Sequence, residues 1–164
     1  MRLKMISAMA AALLLAACAS DEPAATGDAN ASGSTNNGIS QGAVTPGSAE
    51  DFQQNVGDRV FFGYDRYDLT AEAQSQLQKQ AAWLAQYPAV TVTVEGHCDE
   101  RGTREYNLAL GERRANAVAN YLTALGVDAG RLSVISYGKE RPDCTDSNES
   151  CYAQNRRGVT SVNK

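Results

Sequence analysis

The sequence predicts an α+β domain: a two-layer sandwich with two main helices on one face of a four-stranded mixed sheet, in the order β-α-β-α-β-β. Three observations carry this. Val90-Thr91-Val92-Thr93-Val94 alternates with the period of a half-buried strand. Two longer stretches, after Thr70 and after Thr103, repeat their apolar residues at helical spacing. Two further β-type runs, Leu132 to Tyr137 and Arg157 to Val162, follow the second helix.

Taken in order, Arg59-Val60-Phe61-Phe62 reads as the first strand, closed by the turn-prone Gly63-Tyr64-Asp65. Thr70 is the N-cap of a helix with Ala73, Leu77, Ala81 and Leu84 on one face, and Pro88 stops it. The Val90 strand leads through a polar loop into the helix Thr103 to Leu125, which Gly126 ends. The domain therefore occupies residues 49–164.

What precedes it reads as an address and a tether. Arg2 and Lys4 form a short cationic start, and Ile6 to Ala17 are almost wholly apolar around Leu13-Leu14-Leu15. That is a secretory signal over residues 1–17, too short for a spanning helix. Leu15-Ala16-Ala17-Cys18 resembles the lipobox of bacterial lipoproteins, which implies cleavage before Cys18 and acylation of that cysteine. Several acyl chains anchor a protein stably where one does not. Ala19, not Asp, follows the cysteine, which by resemblance to the enterobacterial sorting rule implies the outer membrane, with the domain facing the periplasm. Residues 18–48 abound in Ala, Gly, Ser, Thr and Asn, with Pro23 and Pro46, and cannot bury enough surface to fold. As a coil of about 30 residues, this stretch has an r.m.s. span of roughly 30 Å and reaches about 100 Å at full extension.

The 164 residues carry 15 Lys+Arg against 19 Asp+Glu, a formal charge of -4. That balance argues against nucleic acid as a partner, which normally meets a basic face. Outside the N-terminus no apolar run reaches the roughly 18 residues that a membrane span needs.

Candidate chemistry gathers between the Val90 strand and the second helix. Two glycines, Gly96 and Gly102, bracket His97, Cys98, Asp99, Glu100 and Arg101 at a strand-to-helix junction, a common place for ligand sites. The bland reading is a solvated loop in which Asp99 or Thr103 caps the helix. The helix itself argues otherwise. On a wheel, Leu110, Ala117, Val118, Tyr121 and Leu125 form an apolar arc, and Asn107 and Arg114 fall inside it, while Arg113 lies at its edge. A buried arginine must be paired or line a cleft. Asp99 is the nearest acid, so two readings stand: a structural Asp99–Arg114 pair, or a polar cleft with one anionic and one cationic wall. The cleft suits a zwitterion, with its ammonium on the aspartate and its carboxylate on the arginine fork.

The run from Gly96 to Ala115, together with Tyr64 to Leu69, Ser136 to Pro142 and Asn155-Arg156-Arg157, resembles the signature of OmpA-like peptidoglycan-binding domains over about Asp58 to Val162. The resemblance implies an OmpA-like sandwich that binds the meso-diaminopimelate side chain of the peptidoglycan stem peptide non-covalently. It further implies that Asp99 holds the ammonium and Arg114 the carboxylate. Asp65, Arg101, Asn107 and Leu110 would shape the rest, with backbone from the Tyr64 turn. It also implies partnership with the TolB β-propeller and the Tol–Pal system, which maintains the outer membrane and its constriction at division. No cofactor is implied. Where members of the family often place a small residue, this chain has Cys98, a thiol open to redox chemistry.

An enzyme reading needs His97 and Cys98 to cooperate, but neighbours at a strand end point to opposite faces, and there is no second histidine. A zinc site from His97, Cys98, Cys144 and Cys151 matches no familiar spacing. Cys144 and Cys151 lie instead around a polar loop in an oxidising compartment, where a disulfide closing about eight residues is worth roughly 2.5 kcal/mol. Two free loop thiols are the alternative.

Overall fold

The computed structural model describes residues 44–163. The signal segment, Cys18 and nearly all of the tether lie outside the described residues.

Ser48 caps a short helix, α1 (Ala49–Asp51), by accepting from the Asp51 backbone N–H, and a wider turn (Phe52–Val56) continues it. Then come β1 (Arg59–Phe61), α2 (Ala71–Gln86), β2 (Val92–His97), α3 (Arg104–Ala124), a single 3-10 turn (Ala129–Arg131), β3 (Leu132–Gly138), α4 (Glu149–Asn155) and β4 (Arg157–Val162). The sheet runs β1-β4-β2-β3: β4 lies antiparallel between β1 and β2, and β2 is parallel to β3. A mixed sheet with helices against it is what the sequence predicts, and two details are added. The segment before β1 is helical, and α4 interrupts what reads as a polar loop between the last two strands.

Alternation explains the sheet's inner face. Val92 and Val94 are fully buried, while Thr93 and Glu95, which alternate with them, are only partly covered. Helix α2 begins where Thr70 Oγ1 accepts from the Ala73 N–H at 3.2 Å and lays Leu77, Ala81 and Leu84 on the sheet. Its Trp83 packs on Phe52 (ring centroids 4.8 Å) and donates to Asp51 Oδ2 at 2.9 Å, which ties α1 to the core.

Two expectations need correction. The Val90 strand begins at Val92 and continues through Glu95, Gly96 and His97, which read as loop in the sequence. It continues because Gly96 lets α3 lie directly on β2: a Cβ at Gly96 would stand 1.8 Å from the Gly111 carbonyl oxygen. The same close approach rotates α3. Its buried arc runs through Leu110, Gly111, Arg114, Ala115, Val118, Ala119 and Leu122, whereas Ala117 and Tyr121 are only partly covered and Leu125 is exposed. Small residues, Gly111, Ala115 and Ala119, share the buried face with Leu110, Val118 and Leu122. Asn107 and Arg114 remain inside the arc.

Candidate functional site

Where β2 ends, the chain turns through 98–103 and enters α3, whose first turn Thr103 caps by accepting from the Tyr106 N–H at 3.2 Å. Thr103 thus carries the capping role, and Asp99 does not. Lys139, at the end of β3, fastens the loop by donating to the carbonyls of Glu100 (2.9 Å) and Gly102 (2.7 Å). Facing this loop is the β1–α2 connection, with Asp65 at its tip in the left-handed region (φ 54°) that aspartate tolerates better than most residues.

Between the two loops and α3 lies a cavity of about 150 Å³. All six predicted ligand-site residues line it: Asp65, Asp99, Arg101, Asn107, Leu110 and Arg114. Tyr64, Cys98, Gly102 and Tyr106 line it as well.

Arg114 has no accessible surface. Its guanidinium donates from Nε to the Arg66 carbonyl (2.8 Å), from Nη1 to that of His97 (2.7 Å) and from Nη2 to that of Gly63 (3.1 Å). No carboxylate among the described residues forms an ion pair with it, so the structural Asp99–Arg114 pair does not form. Burial pushes the Arg114 pKa down, with Cys98 and Asp99 opposing the shift. An arginine nonetheless stays charged in a protein. The molecule therefore carries a buried cation whose counter-charge is not in contact, at the wall of a cavity.

Asp99, 4% exposed, is differently placed. Its Oδ1 accepts from the backbone N–H and Nε of Arg101, both at 3.2 Å, and its Oδ2 accepts from Arg101 Nη2 (2.6 Å) and Arg156 Nη1 (3.3 Å). Burial raises its pKa, but these hydrogen bonds outweigh burial and hold the carboxyl below its ordinary value. Arg101 lies between two aromatic faces, 4.2 Å from the Tyr64 ring centroid and 4.3 Å from that of Tyr152. Asn107 spends both amide N–H groups on the loop, donating to the carbonyls of Arg101 (2.8 Å) and Thr103 (3.0 Å). Only its oxygen is left for anything else. The Tyr106 hydroxyl donates to Asp65 Oδ1.

His97 and Cys98 diverge. The His97 ring lies 5.4 Å from that of Tyr137, with Nε2 3.4 Å from Glu95 Oε2, whereas the Cys98 thiol donates to the Asn107 carbonyl at 3.3 Å. Burial pushes the thiol up to about 11, which keeps it protonated near neutral pH. Cys144 and Cys151 are joined by a disulfide, which removes two donors from the zinc reading.

Sequence reasoning missed Tyr106, Tyr152 and Arg156. Tyr106 stands one position before Asn107, where a wheel does not single out an aromatic. Arg156 sits beside Arg157 with nothing to mark one as the partner of Asp99.

The model of the OmpA family matches residues 61–156, more than half of the chain. The chain belongs to the OmpA family. A peptidoglycan-associated lipoprotein from Agrobacterium fabrum is 50% identical over 157 residues, an alignment covering 94% of this chain and 85% of the relative. The crystal structure of the peptidoglycan-associated lipoprotein from Burkholderia pseudomallei superposes with a TM-score of 0.66 at 36% identity, covering 71% of this chain and all of that one. The C-terminal domain of Helicobacter pylori MotB, at 21% identity and a TM-score of 0.60, shares the OmpA-family fold.

Proposed function

We propose that this chain is an outer-membrane lipoprotein that binds peptidoglycan non-covalently through the meso-diaminopimelate of the stem peptide. It works as a binding module, not an enzyme, and tethers the outer membrane to the wall within the Tol–Pal system, with TolB as a partner. The single observation that carries this reading is Arg114: a fully buried guanidinium at a cavity wall, in ion-pair contact with no carboxylate of the described chain. Three of its five N–H groups go to carbonyls, and the two left over, one on each Nη, are what a carboxylate accepts bidentately. The free end of diaminopimelate carries a carboxylate and an ammonium on one carbon, so the ammonium comes to the acidic side, where Asp99 and Asp65 lie. Leu110 and Asn107 line the space that its methylene chain would fill. The lipid at Cys18 rests on the lipobox, the periplasmic placement of the domain on the residue that follows it, and the link to TolB on the family resemblance.

Co-sedimentation with purified diaminopimelate-type sacculi tests the reading. Wild type is expected in the pellet, with or without chelator, and Arg114→Lys in the supernatant, since an ammonium cannot reproduce the planar fork. Arg113→Ala, exposed and one position away, should pellet normally. If Arg114→Lys pellets like wild type, Arg114 is structural only.

A further inference from the structure

The disulfide ring faces the binding loop. Ser147 Oγ, within the ring, donates to Glu100 Oε1 at 2.7 Å, and so does the Tyr152 hydroxyl, one residue past the ring, at 2.8 Å. The ring's Glu149 accepts from Arg156 Nη2 at 2.7 Å, and Arg156 in turn donates to Asp99; Glu149 also lies 3.5 Å from Arg101. The Tyr152 ring stacks on the Arg101 guanidinium. Three residues in or beside the ring thus address three consecutive residues of the binding loop: Asp99, Glu100 and Arg101. What holds them in place is compact. Asn148 caps α4 by accepting from the Cys151 N–H (2.9 Å), Asn155 fixes the backbone of Asp143 and Cys144 through three hydrogen bonds, and the disulfide closes the ring over a buried Cys151.

From this arrangement we infer that Tyr152 and the Cys144–Cys151 ring are positioning elements of the ligand site: they hold Arg101 against Asp99, and opening the disulfide with a dithiol weakens ligand binding while the domain stays folded. The inference rests on the function proposed above. Arg101 occupies all but one of the hydrogen bonds that Asp99 accepts, so where Arg101 stands decides what an arriving ammonium meets. With Tyr152 withdrawn, the guanidinium keeps one aromatic wall instead of two and samples rotamers at the cavity mouth. Fixing it again on binding costs affinity, up to about tenfold for one long side chain. The redox step is an ordinary exchange: the dithiol is oxidised to a cyclic disulfide, and Cys144 and Cys151 take up its two protons and two electrons as thiols.

The test uses the full-length protein in detergent and a muropeptide ending in meso-diaminopimelate. Affinity is measured for the oxidised protein, for the protein reduced with dithiothreitol, and for Tyr152→Ala and Tyr152→Phe. The Arg101 Hε resonance, shifted by the two rings, is followed by NMR in the same samples. Reduction and Tyr152→Ala are expected to weaken binding about tenfold and to move the Hε resonance toward its free position. Tyr152→Phe, which keeps the stacking, is expected to retain most of the affinity. Equal or tighter binding after reduction, in a protein whose amide spectrum remains dispersed, overturns the inference. So does an Hε resonance that neither reduction nor Tyr152→Ala moves. Absence of binding by the oxidised wild type instead overturns the proposed function, and this inference with it.

Discussion

Arg114 does two things that a single substitution cannot separate. It joins three backbone carbonyls, two from the β1–α2 loop and one from the end of β2, and its remaining N–H groups are what the cavity has to offer an anion. Arg114→Ala therefore leaves three buried carbonyls without their donor. It is expected to lower unfolding free energy by on the order of 3 kcal/mol in addition to abolishing binding, which chemical denaturation measures directly. Arg114→Lys, which retains charge and one donor position, is the cleaner probe of ligand recognition. This residue was legible in the sequence because a cation inside an apolar arc contradicts its surroundings. Arg156, also buried, was not, because it sits beside Arg157 at the end of a polar stretch with no apolar arc to contradict it. His97 makes a prediction of its own. Burial pushes its pKa down to about 4 from the ordinary 6.5, with the Arg157 charge adding to the shift and the Asp143 charge and a hydrogen bond with the Arg141 backbone opposing it. Between those two values the unfolded chain takes up a proton that the folded one does not, so this residue makes stability fall as pH falls through the window. The contribution is at most about 3 kcal/mol. Glu95, whose carboxyl burial pushes up, acts in the opposite direction. Urea unfolding at pH 7 and at pH 4.5 should show a smaller loss in His97→Gln than in wild type.

At the scale of elements, the site depends on how closely α3 approaches β2. Gly96 and Gly111 meet at that contact, and any side chain at Gly96 would collide with backbone that cannot give way. Gly96→Ala is expected to cost about 3 kcal/mol or more, or to prevent folding, and thermal melting reads this out. The approach also accounts for what the sequence concealed. Gly96 and His97 interrupt a β-branched run and so read as loop, although the strand continues because its partner helix carries no side chain at the crossing. Helix α3 was legible in extent from Thr103 and Gly126, but its facing was not: a wheel weights large apolar residues, and here Gly111, at the closest crossing, and Ala115 and Ala119 belong to the buried face. Helix α4 is too short for periodicity to register inside a polar stretch. Its one readable signal was Asn148 followed by Glu149, a cap and a first-turn acid.

For the whole molecule, the proposed function asks a small cavity to do mechanical work: each bond to the wall would be reversible, while a lipid at Cys18 would hold the other end. The described residues contain no helix long and apolar enough to cross a membrane; the proposed function places attachment at Cys18. Cys18→Ser should release the protein from membrane fractions without altering the melting temperature of the domain. Fractionation with mass spectrometry checks this, and an unmodified thiol in wild-type membranes would contradict it. The two loops and α3 converge on one charge pattern, a cation with room for a carboxylate beside a carboxylate held by arginines, and that pattern fits one end of diaminopimelate better than it fits lysine. The most direct measurement is calorimetric titration of the full-length protein with two muropeptides that differ only in that residue. The diaminopimelate peptide is expected to bind at least about a hundredfold more tightly, because without a carboxylate the buried Arg114 stays unpaired, a loss on the order of 3 kcal/mol or more. Equal affinity for the lysine peptide would contradict it.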